Sequence, residues 1–401
     1  MRATLAPLAE RGFRLLFLSR TVSFIGNAFA TTAIAFAVLD VTGSKADLGY
    51  VLAARAAPQV VFLLVGGVWA DRLPRHLVMV GSNVVSGASQ AVLAVLLLTD
   101  SAQFNELIVL AAINGTSSAF FFPASSGIIP QTVPAGLLQP ANALLRLGLN
   151  ASSISGAALG GLVVAATSPG WAIAVDSLTF FAAAVLISLL RLPPRERQPG
   201  SRFFTELAQG WLEFRSRTWL WAIVLQFAIV NAAWTGSTNV LGPAVAKEHF
   251  GGAAAWGAIL AAESIGLVCG GLVMLRLRPR RMLLAATFGI LLLPLSPLSL
   301  AFPLALPAVV AACFLAGVGV ESFGVLWDTT MQQEIPAEKL SRVYSYDALG
   351  SFALIPVGFA AAGAISAAIG TKATFFGATA LITGATLLVL LIRDVRTLER
   401  R

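Results

Sequence analysis

The sequence contains little charge. Of its 401 residues, 11% are Asp, Glu, Lys or Arg, whereas soluble globular proteins average about 25%. Hydrophobic residues make up 57% of the chain and are gathered in long runs. These proportions exclude an ordinary soluble domain and predict a protein that lies in a lipid bilayer.

Cysteine and histidine are almost absent, with two of each. Cys269 and Cys313 lie in apolar segments at no metal-ligand spacing, so we interpret them as buried structural thiols. His76 and His249 belong to opposite sides of the predicted membrane, and no phosphate-binding Gly-x-x-x-x-Gly-Lys-Ser/Thr segment occurs. The sequence therefore argues against a disulfide framework, a metalloenzyme and an ATP-driven pump. We expect no catalytic residues, no cofactor and no metal.

Lysine is also rare, with four residues against 23 arginines, and the cations are unevenly placed. Twenty-one of the 27 fall in the termini and in every second loop, while the other loops hold only Lys45, Lys247 and Lys372. The positive-inside rule then places both termini in the cytoplasm. Because the cations separate apolar runs without interleaved aromatic residues, the net charge of +8 reflects membrane topology and not a nucleic-acid partner.

Twelve apolar spans follow one another along the chain. Each has roughly 20 residues or more, enough to cross about 30 Å of hydrocarbon. The first is too long for a signal-peptide core, so we interpret it as a retained helix. We expect an all-α integral membrane protein of the bacterial cytoplasmic membrane. The spans are predicted at residues 13–39, 47–71, 76–98, 104–127, 138–166, 170–192, 218–244, 254–276, 281–301, 304–328, 341–369 and 371–392.

A charged, proline-rich segment at 192–200 divides the chain into two halves. Five apolar residues that follow it share one helical face, which favours an amphipathic helix on the cytoplasmic leaflet. A helical extension of span seven is the alternative. We expect an N-terminal six-helix bundle at 1–192, a linker at 193–217 and a C-terminal six-helix bundle at 218–401. The five apolar residues are Phe203, Phe204, Leu207, Trp211 and Phe214.

The two halves repeat one another. Seven residues between 131 and 161 recur 202 positions later, between 333 and 363. A second match, at an offset of 208, aligns Arg55 with Glu263. Because the order of matching elements agrees, we expect two pseudo-symmetric bundles related by duplication.

The loop between spans two and three carries a signature. Residues 67–76 read Gly-Val-Trp-Ala-Asp-Arg-Leu-Pro-Arg-His and resemble the Gly-x-x-x-Asp-Arg loop of the major facilitator superfamily. Pro74 stands where that loop has a second glycine, and His76 replaces a cation. The resemblance implies a cytoplasmic gate that holds this side closed by charge pairing. Its residues would be Gly67, Asp71, Arg72 and Arg75.

Span five carries a second resemblance. Residues 152–161 read Ser-Ser-Ile-Ser-Gly-Ala-Ala-Leu-Gly-Gly and are similar to the antiporter signature of the same superfamily, with Ala157 in place of the usual proline. The resemblance implies antiport, with Gly156, Gly160 and Gly161 in the helix concerned. Small-residue packing between helices is the alternative.

The resemblance covers nearly the whole chain. Segments 142–146, 170–176 and 341–347 look most like the branch that contains macrolide-efflux proteins and the enterobactin exporter. This implies the major facilitator fold and proton-driven export of a drug, siderophore or natural product. An importer or a lipid flippase on the same fold is the alternative. The expected partners of this monomer are a small amphiphilic substrate, protons and membrane lipid.

Seven charged side chains inside the spans are the expected proton relay, because charges in a bilayer are costly and usually functional. A buried carboxylate takes up a proton readily, and a nearby arginine favours its release. Arg146 with Glu263 is the first expected pair. Asp347 with either Arg55 or Arg20 is the second, and static ion pairs are the alternative. The seven are Arg20, Arg55, Arg146, Asp176, Glu263, Glu321 and Asp347.

Other polar residues in the spans have different expected roles. Asp40 is interpreted as a solvated or capping residue at the outer end of span one, and Asp328 as a cap at the cytoplasmic end of span ten. Substrate contacts are predicted from four polar or aromatic side chains, and packing or lipid contact is the alternative for the two tryptophans. The four are Asn27, Asn231, Trp234 and Trp327.

Overall fold

The computed structural model describes residues 5–72, 74–190, 210–277, 279–302 and 305–399. Helices dominate these ranges, which contain no β-strand. The side chains of residues 63–72 also lie outside the description. The prediction of an all-α protein is therefore confirmed.

Six helices form the first half of the chain, and each lies within a few residues of a predicted span. Gly43, with a left-handed φ of 65°, ends the first of them. The backbone N–H of Gln103 donates to Glu106 Oε2 at 3.0 Å and caps the start of the fourth. The helices are α1 Arg11–Thr42, α2 Lys45–Arg72, α3 Arg75–Leu98, α4 Phe104–Gly127, α5 Leu138–Ala166 and α6 Pro169–Ser188.

The second half is more interrupted. A π-helical segment at Ser237–Leu241 joins two helices of span seven. The helices are α7 Thr218–Gly236, α8 Gly242–His249, α9 Ala253–Arg276, α10 Met282–Ile290, α11 Leu295–Ala301, α12 Leu306–Glu334, α13 Ala337–Phe352, α14 Ile355–Ile369, α15 Thr371–Val389 and α16 Arg393–Thr397.

Proline explains two of the interruptions. Spans nine and eleven were predicted as single helices, but the first divides into α10 and α11 and the second into α13 and α14. Pro294 lies at the N-cap of α11, and Pro356 occupies the first turn of α14. Proline lacks an N–H and clashes with the preceding helical turn, so it starts a helix more easily than it continues one.

The helices account for the twelve predicted spans. Ten segments in the described part of the chain are long and apolar enough to cross a membrane, four in the first half and six in the second. The two remaining spans correspond to α2 and α4, which have 28 and 24 residues.

The chain forms two compact units. Unit 1 comprises Met1–Arg195 and Ala246–Ala261, and unit 2 comprises Glu196–Val245 and Ala262–Arg401. In unit 1, α1 packs against α5 and α6, and α3 packs against α4 and α6. In unit 2, α7 packs against α13, α14 and α15, α10 against α12, and α11 against α15. Equivalent helices therefore have equivalent neighbours, as duplication predicts.

The end of the linker lies on unit 2. Residues 191–209, which include Phe203, Phe204 and Leu207 of the predicted amphipathic face, lie outside the described residues. Residues 210–215 are helical, and a turn separates them from α7. The rings of Trp211 and Phe214 lie 5.6 and 5.9 Å from that of Tyr346 on α13. At least this end of the face therefore contacts protein.

An ion-pair cluster fixes the same segment. Glu213 accepts hydrogen bonds from Lys339 Nζ at 2.8 Å and from Arg217 Nη2 at 2.7 Å. Two cations thus converge on a carboxylate whose side chain is only 13% exposed.

Candidate functional site

Arg55 is held by a neutral amide inside unit 1. It lies in the middle of α2, and its Nη2 donates to Asn27 Oδ1 on α1 at 3.1 Å. Asn27 Nδ2 in turn donates to the carbonyl of Ser23 at 3.2 Å, which orients the amide. The sequence predicted separate roles for these two residues, charge relay and substrate contact, and the structure brings them together.

Asp176 is the fully buried acid of unit 1. It lies on α6 and accepts a 2.7 Å hydrogen bond from Gln90 Nε2 on α3. Its other oxygen, Oδ1, has no hydrogen-bond partner among the described residues. A Cβ at Gly26 would lie 2.6 Å from that oxygen, so only glycine leaves room for it there. Arg55 is close enough to interact electrostatically with Asp176.

These four side chains come from four helices and form the first polar cluster, defined as Asn27, Arg55, Gln90 and Asp176. Burial makes such a group of polar side chains costly unless its members are paired. The cluster contains one cation and one acid, each hydrogen-bonded to a neutral amide.

The second polar cluster lies in unit 2 and consists of Asn231, Trp327, Asp347 and Ser351. Asp347 on α13 accepts hydrogen bonds from Trp327 Nε1 at 3.0 Å and from Ser351 Oγ at 3.2 Å. Asn231 Nδ2 on α7 donates to the Ser351 carbonyl at 3.0 Å. Two predicted cavity residues, Asn231 and Trp327, are thus linked to a predicted relay residue through neutral donors.

The other predicted relay arginines have different surroundings. The Arg20 guanidinium lies 5.4 Å from the centre of the Phe24 ring, a distance at which cations are attracted to aromatic rings. Arg146 lies on α5, and its side chain is exposed at the protein surface. Pairing of Asp347 with Arg20 or Arg55, and of Arg146 with Glu263, stays a prediction.

Glycines bring α9 and α12 into close contact beside Glu263 and Glu321. A Cβ at Gly317 would overlap the carbonyl oxygen of Glu263, and a Cβ at Gly270 would lie 3.1 Å from Cβ of Glu321. Both glutamates are half-buried. The structure therefore places Glu263 and Glu321 at one helix crossing, which the sequence did not show.

The same crossing occurs in unit 1. A Cβ at Gly115 on α4 would overlap the carbonyl oxygen of Arg55 on α2. Gly115 precedes Gly317 by 202 positions, the offset of the sequence repeat, and Arg55 is aligned with Glu263. The aligned positions thus have the same backbone environment and carry opposite charges.

The antiporter-like helix packs through its glycines. A Cβ at Gly156 would lie 2.5 Å from Cβ of Ala28, one at Gly160 would lie 2.8 Å from Cα of Phe29, and one at Gly161 would lie 2.6 Å from the carbonyl oxygen of Ala253. These are the small-residue contacts that were the alternative interpretation. An antiport role for the segment stays a prediction.

The predicted cytoplasmic gate lies at the end of α2. Gly67, Asp71 and Arg72 belong to this helix, but their side chains lie outside the described residues. Arg75 begins α3. The gate therefore stays a prediction.

Two ion pairs join the α1–α2 turn to the end of α8, all within unit 1. Lys247 Nζ pairs with Asp40, and Lys45 Nζ lies 3.0 Å from Glu248 Oε1. Asp40 is 47% exposed, so it is solvated as predicted, but it also has a charged partner. The order of the charges is the signal that could have indicated these pairs. An acid precedes a base at Asp40 and Lys45, and a base precedes an acid at Lys247 and Glu248.

Two further expectations can be compared with the structure. Asp328 was expected to cap span ten, but α12 continues to Glu334 and Asp328 accepts a 3.1 Å hydrogen bond from Tyr344 Oη. The cap interpretation is wrong because the helix is longer than its apolar run. Trp234 packs against the core of unit 2, and its Nε1 has no partner among the described residues. Its contact with substrate stays a prediction.

Gln90 and Asn114 are among the buried amides that were not predicted. Each is 2% exposed. A polar amide in an apolar span is the signal that could have found them.

The described residues contain no group of three or more His, Cys, Asp or Glu that could hold a metal ion. Both cysteines are free, and Cys313 Sγ donates to Ser296 Oγ at 3.4 Å.

Comparison with known proteins relates this geometry to transporters. The family model of the Major Facilitator Superfamily matches residues 16–354. The multidrug efflux pump Tap of Mycolicibacterium fortuitum is 27% identical over 379 residues, which cover 91% of this chain and 92% of Tap. Macrolide efflux protein A of Streptococcus pyogenes is 23% identical over 394 residues, covering 96% and 97%. The crystal structure of the nucleoside transporter NupG has a TM-score of 0.75 at 12% identity, covers 98% of this chain and 99% of NupG, and supports the fold alone.

Proposed function

We propose that this chain, which belongs to the major facilitator superfamily, exports a small amphiphilic molecule by alternating access in exchange for protons. The chain is a multi-pass membrane transporter of a small molecule and not an enzyme. The finer assignment concerns the direction of transport, the coupling ion and the residues that carry it.

The observation that carries the export assignment is the similarity to two efflux proteins along more than nine-tenths of the chain. Their names describe transport of drugs out of the cell. We extend this chemistry to a drug-like compound, a siderophore or another natural product. Export removes such a molecule from the cytoplasm, and we propose that both termini lie there, because the termini and every second loop hold 21 of the 27 cations.

Proton exchange is supported by acids in apolar surroundings. The fully buried Asp176 and the half-buried Glu263, Glu321 and Asp347 lie within the helices of the two units. Apolar surroundings favour the protonated, neutral form of a carboxyl group, whereas a nearby cation favours the ionised form. We assign the relay to these acids together with Arg20, Arg55 and Arg146.

The proposed organisation of the chain follows the spans and the linker predicted from the sequence. We propose a monomer in which residues 1–192 and 218–401 supply the two bundles and residues 193–217 connect them. Gly67, Asp71, Arg72 and Arg75 form the cytoplasmic gate of this transporter.

Uptake, or lipid flipping, on the same fold is the second candidate, because the superfamily contains importers as well as exporters. Deletion of the protein separates the two directions. Loss of an exporter raises the intracellular level of its substrate, whereas loss of an importer lowers it.

The coupling assignment is tested in proteoliposomes with an imposed proton gradient and a panel of macrolides, lipophilic cations and siderophores. Glu263→Gln and Glu321→Gln should each abolish proton-driven export while leaving membrane insertion intact. Glu106→Gln changes a half-buried glutamate that caps the start of α4 and keeps a side-chain oxygen that can accept the capping bond. It is the matched control and should export normally. Wild-type rates in both interior variants would refute the coupling role.

A further inference from the structure

Asn114 is a buried amide on α4. It is 2% exposed, and neither Nδ2 nor Oδ1 has a hydrogen-bond partner among the described residues. Leaving both atoms unsatisfied would destabilise the protein, because a buried polar group without a partner loses the hydrogen bonds that it makes to water in the unfolded chain. A native helix interior seldom retains such a group without a partner of another kind.

A small cavity lies directly beside this amide. Its polar lining comes from Arg55, Gln90 and Asn114, and its apolar lining includes Ile34, Val51 and Leu107. Its volume is about 10 Å³, close to the ~10–15 Å³ that one water molecule occupies. Most of the cavity wall is apolar, and Arg55, Gln90 and Asn114 are the lining residues that carry nitrogen or oxygen groups in their side chains, within the two to four partners that buried waters have. The site therefore fits a single water molecule and is too small for a drug-like ligand.

We propose that this cavity is a binding site for one water molecule, shared by Asn114 and Arg55, and that the hydrated cavity and Asp176 are alternative partners of the Arg55 guanidinium. The second part rests on the proposed proton exchange. When Asp176 carries a proton, Arg55 binds Asn27 and the water. When Asp176 releases the proton, its carboxylate draws the guanidinium away from the water.

The donor count permits this exchange. A guanidinium has five N–H groups, and in this structure one of them donates to Asn27. Asp176 Oδ1 offers a buried acceptor with no other partner among the described residues. Gln90 contacts both places, since it lines the cavity and donates to Asp176 Oδ2.

Other charged groups do not compete for Asp176. Helix α6 packs against α1, α3 and α5, and in the described part of the chain Arg55 is the charged residue that interacts electrostatically with Asp176. The remaining titratable or charged residues on those three helices are Arg11, Arg14, Arg20, Asp40, Arg75, His76 and Arg146.

The water site is tested by the sign of a stability change. In the purified full-length protein, Asn114→Leu fills the cavity and removes the amide. If a water links Asn114 to Arg55, this change leaves the guanidinium without that partner and lowers Tm by roughly 2–4 °C. Asn114→Ser keeps a hydroxyl for the water and should stay closer to the wild type.

The matched control is Asn83→Leu. Asn83 lies on α3, is 1% exposed, and its Nδ2 has no partner among the described residues, but it does not line the cavity. Its replacement removes a buried amide away from the cavity, so it should lower Tm by less than Asn114→Leu does. If Asn114→Leu leaves Tm unchanged or raises it, the cavity is dry and the proposal is overturned.

The exchange of partners is tested by transport. Asn114→Leu should slow proton-driven export in vesicles, and in an Asp176→Asn background it should cause no further loss, because the alternation is already gone. Independent, multiplicative losses would overturn the exchange. If wild-type export proves insensitive to a proton gradient, the exchange and the proposed coupling both fail, whereas the Tm result still decides whether the water site exists.

Discussion

The two units carry opposite charges on equivalent scaffolds. The described interior of unit 1 is mainly basic, whereas that of unit 2 is acidic. Gly115 meets the carbonyl of Arg55, and its repeat equivalent Gly317 meets the carbonyl of Glu263. Duplication thus preserved the helix crossing while the side chain at the crossing changed sign. The interior charges are Arg20, Arg55 and Asp176 in unit 1, and Glu263, Glu321, Asp328 and Asp347 in unit 2, whereas Arg146 of unit 1 is exposed.

This difference separates two demands on the chain. Close helix packing depends on the backbone and on the absence of a Cβ, so a glycine at one position is enough to maintain it. The charge of a neighbouring side chain is not constrained by that contact. One fold can therefore carry an arginine-centred cluster in one unit and carboxylate-centred clusters in the other.

The largest expected effect comes from giving unit 1 the charge sign of unit 2. Arg55→Glu would remove the cation near Asp176 and add a second acid to a buried cluster. A buried charge left without a compensating partner costs about 3–5 kcal/mol, so we expect strong loss of folded protein and of export. Thermal melting and vesicle export measure both. Arg55→Lys, which keeps the charge, should retain most of the stability, and equal losses in the two variants would argue against a charge effect.

The next effect tests the shared crossing. Gly115→Ala and Gly317→Ala should each destabilise the protein by about 1–3 kcal/mol, because the new methyl group overlaps a backbone carbonyl. Gly81→Ala and Gly324→Ala are matched controls, since a Cβ at either position meets nothing within 4 Å. In these controls alanine should be neutral or stabilising by up to about 1 kcal/mol. A neutral result at Gly115 with a large loss at Gly317 would show that the crossings are not equivalent.

A smaller difference is expected between the hydrogen bonds to the two aspartates. Gln90→Met should cost about 1.5–3 kcal/mol, because it removes the hydrogen bond to the fully buried Asp176. Trp327→Phe should cost about 1 kcal/mol, because Asp347 is partly exposed and retains the bond from Ser351. Thermal denaturation of the two purified variants gives the comparison. The reverse order would mean that Asp347 is the more tightly held acid.

The smallest expected loss of stability concerns the ion pairs of Glu213 with Lys339 and Arg217 in unit 2. Lys339 and Arg217 hold the pKa of Glu213 below its usual range. This stabilisation is fully present above the unfolded-state pKa of about 4.3 and is lost as pH falls through the lower folded-state pKa. Because Lys339 and Arg217 are partly exposed to solvent, Glu213→Gln should cost under about 1 kcal/mol at neutral pH.

Tm measured from pH 7 to pH 3 provides the check. The difference in Tm between the wild type and Glu213→Gln should disappear in the acid range. Glu10→Gln, at an exposed position, is the control and should show no such difference. A constant difference across the range would assign the effect of Glu213 to packing and not to its charge.

The sequence analysis found the helices more accurately than their contacts. Apolar length located all twelve spans, since a helix that crosses a bilayer must satisfy its own backbone. Apolar length did not predict the breaks at Pro294 and Pro356, although both prolines lie inside predicted spans. A single proline does not always end a helix, since Pro58 lies inside α2. Apolar length also ended span ten early, since α12 continues past the apolar run to Glu334.

For the candidate site, residue choice was easier to predict than partnership. Arg55, Asn27, Trp327 and Asp347 were all singled out by being polar or aromatic in an apolar span. Their actual pairing, Arg55 with Asn27 and Asp347 with Trp327, was not predicted. Charge complementarity suggested ion pairs, whereas in the described residues neutral amides, a hydroxyl and an indole make these contacts.

The sequence by itself determined that this protein lies in a membrane, that it has twelve spans and that its halves are duplicated. The first two properties follow from local composition, because the cost of burying charge and unpaired backbone applies to each segment separately. The duplication follows from residues that recur at a nearly constant offset. Only the tertiary structure decided which polar groups meet. The hydrogen bonds of the two clusters join residues 28, 86 and 120 positions apart, and such contacts depend on how helices pack, which no single segment encodes.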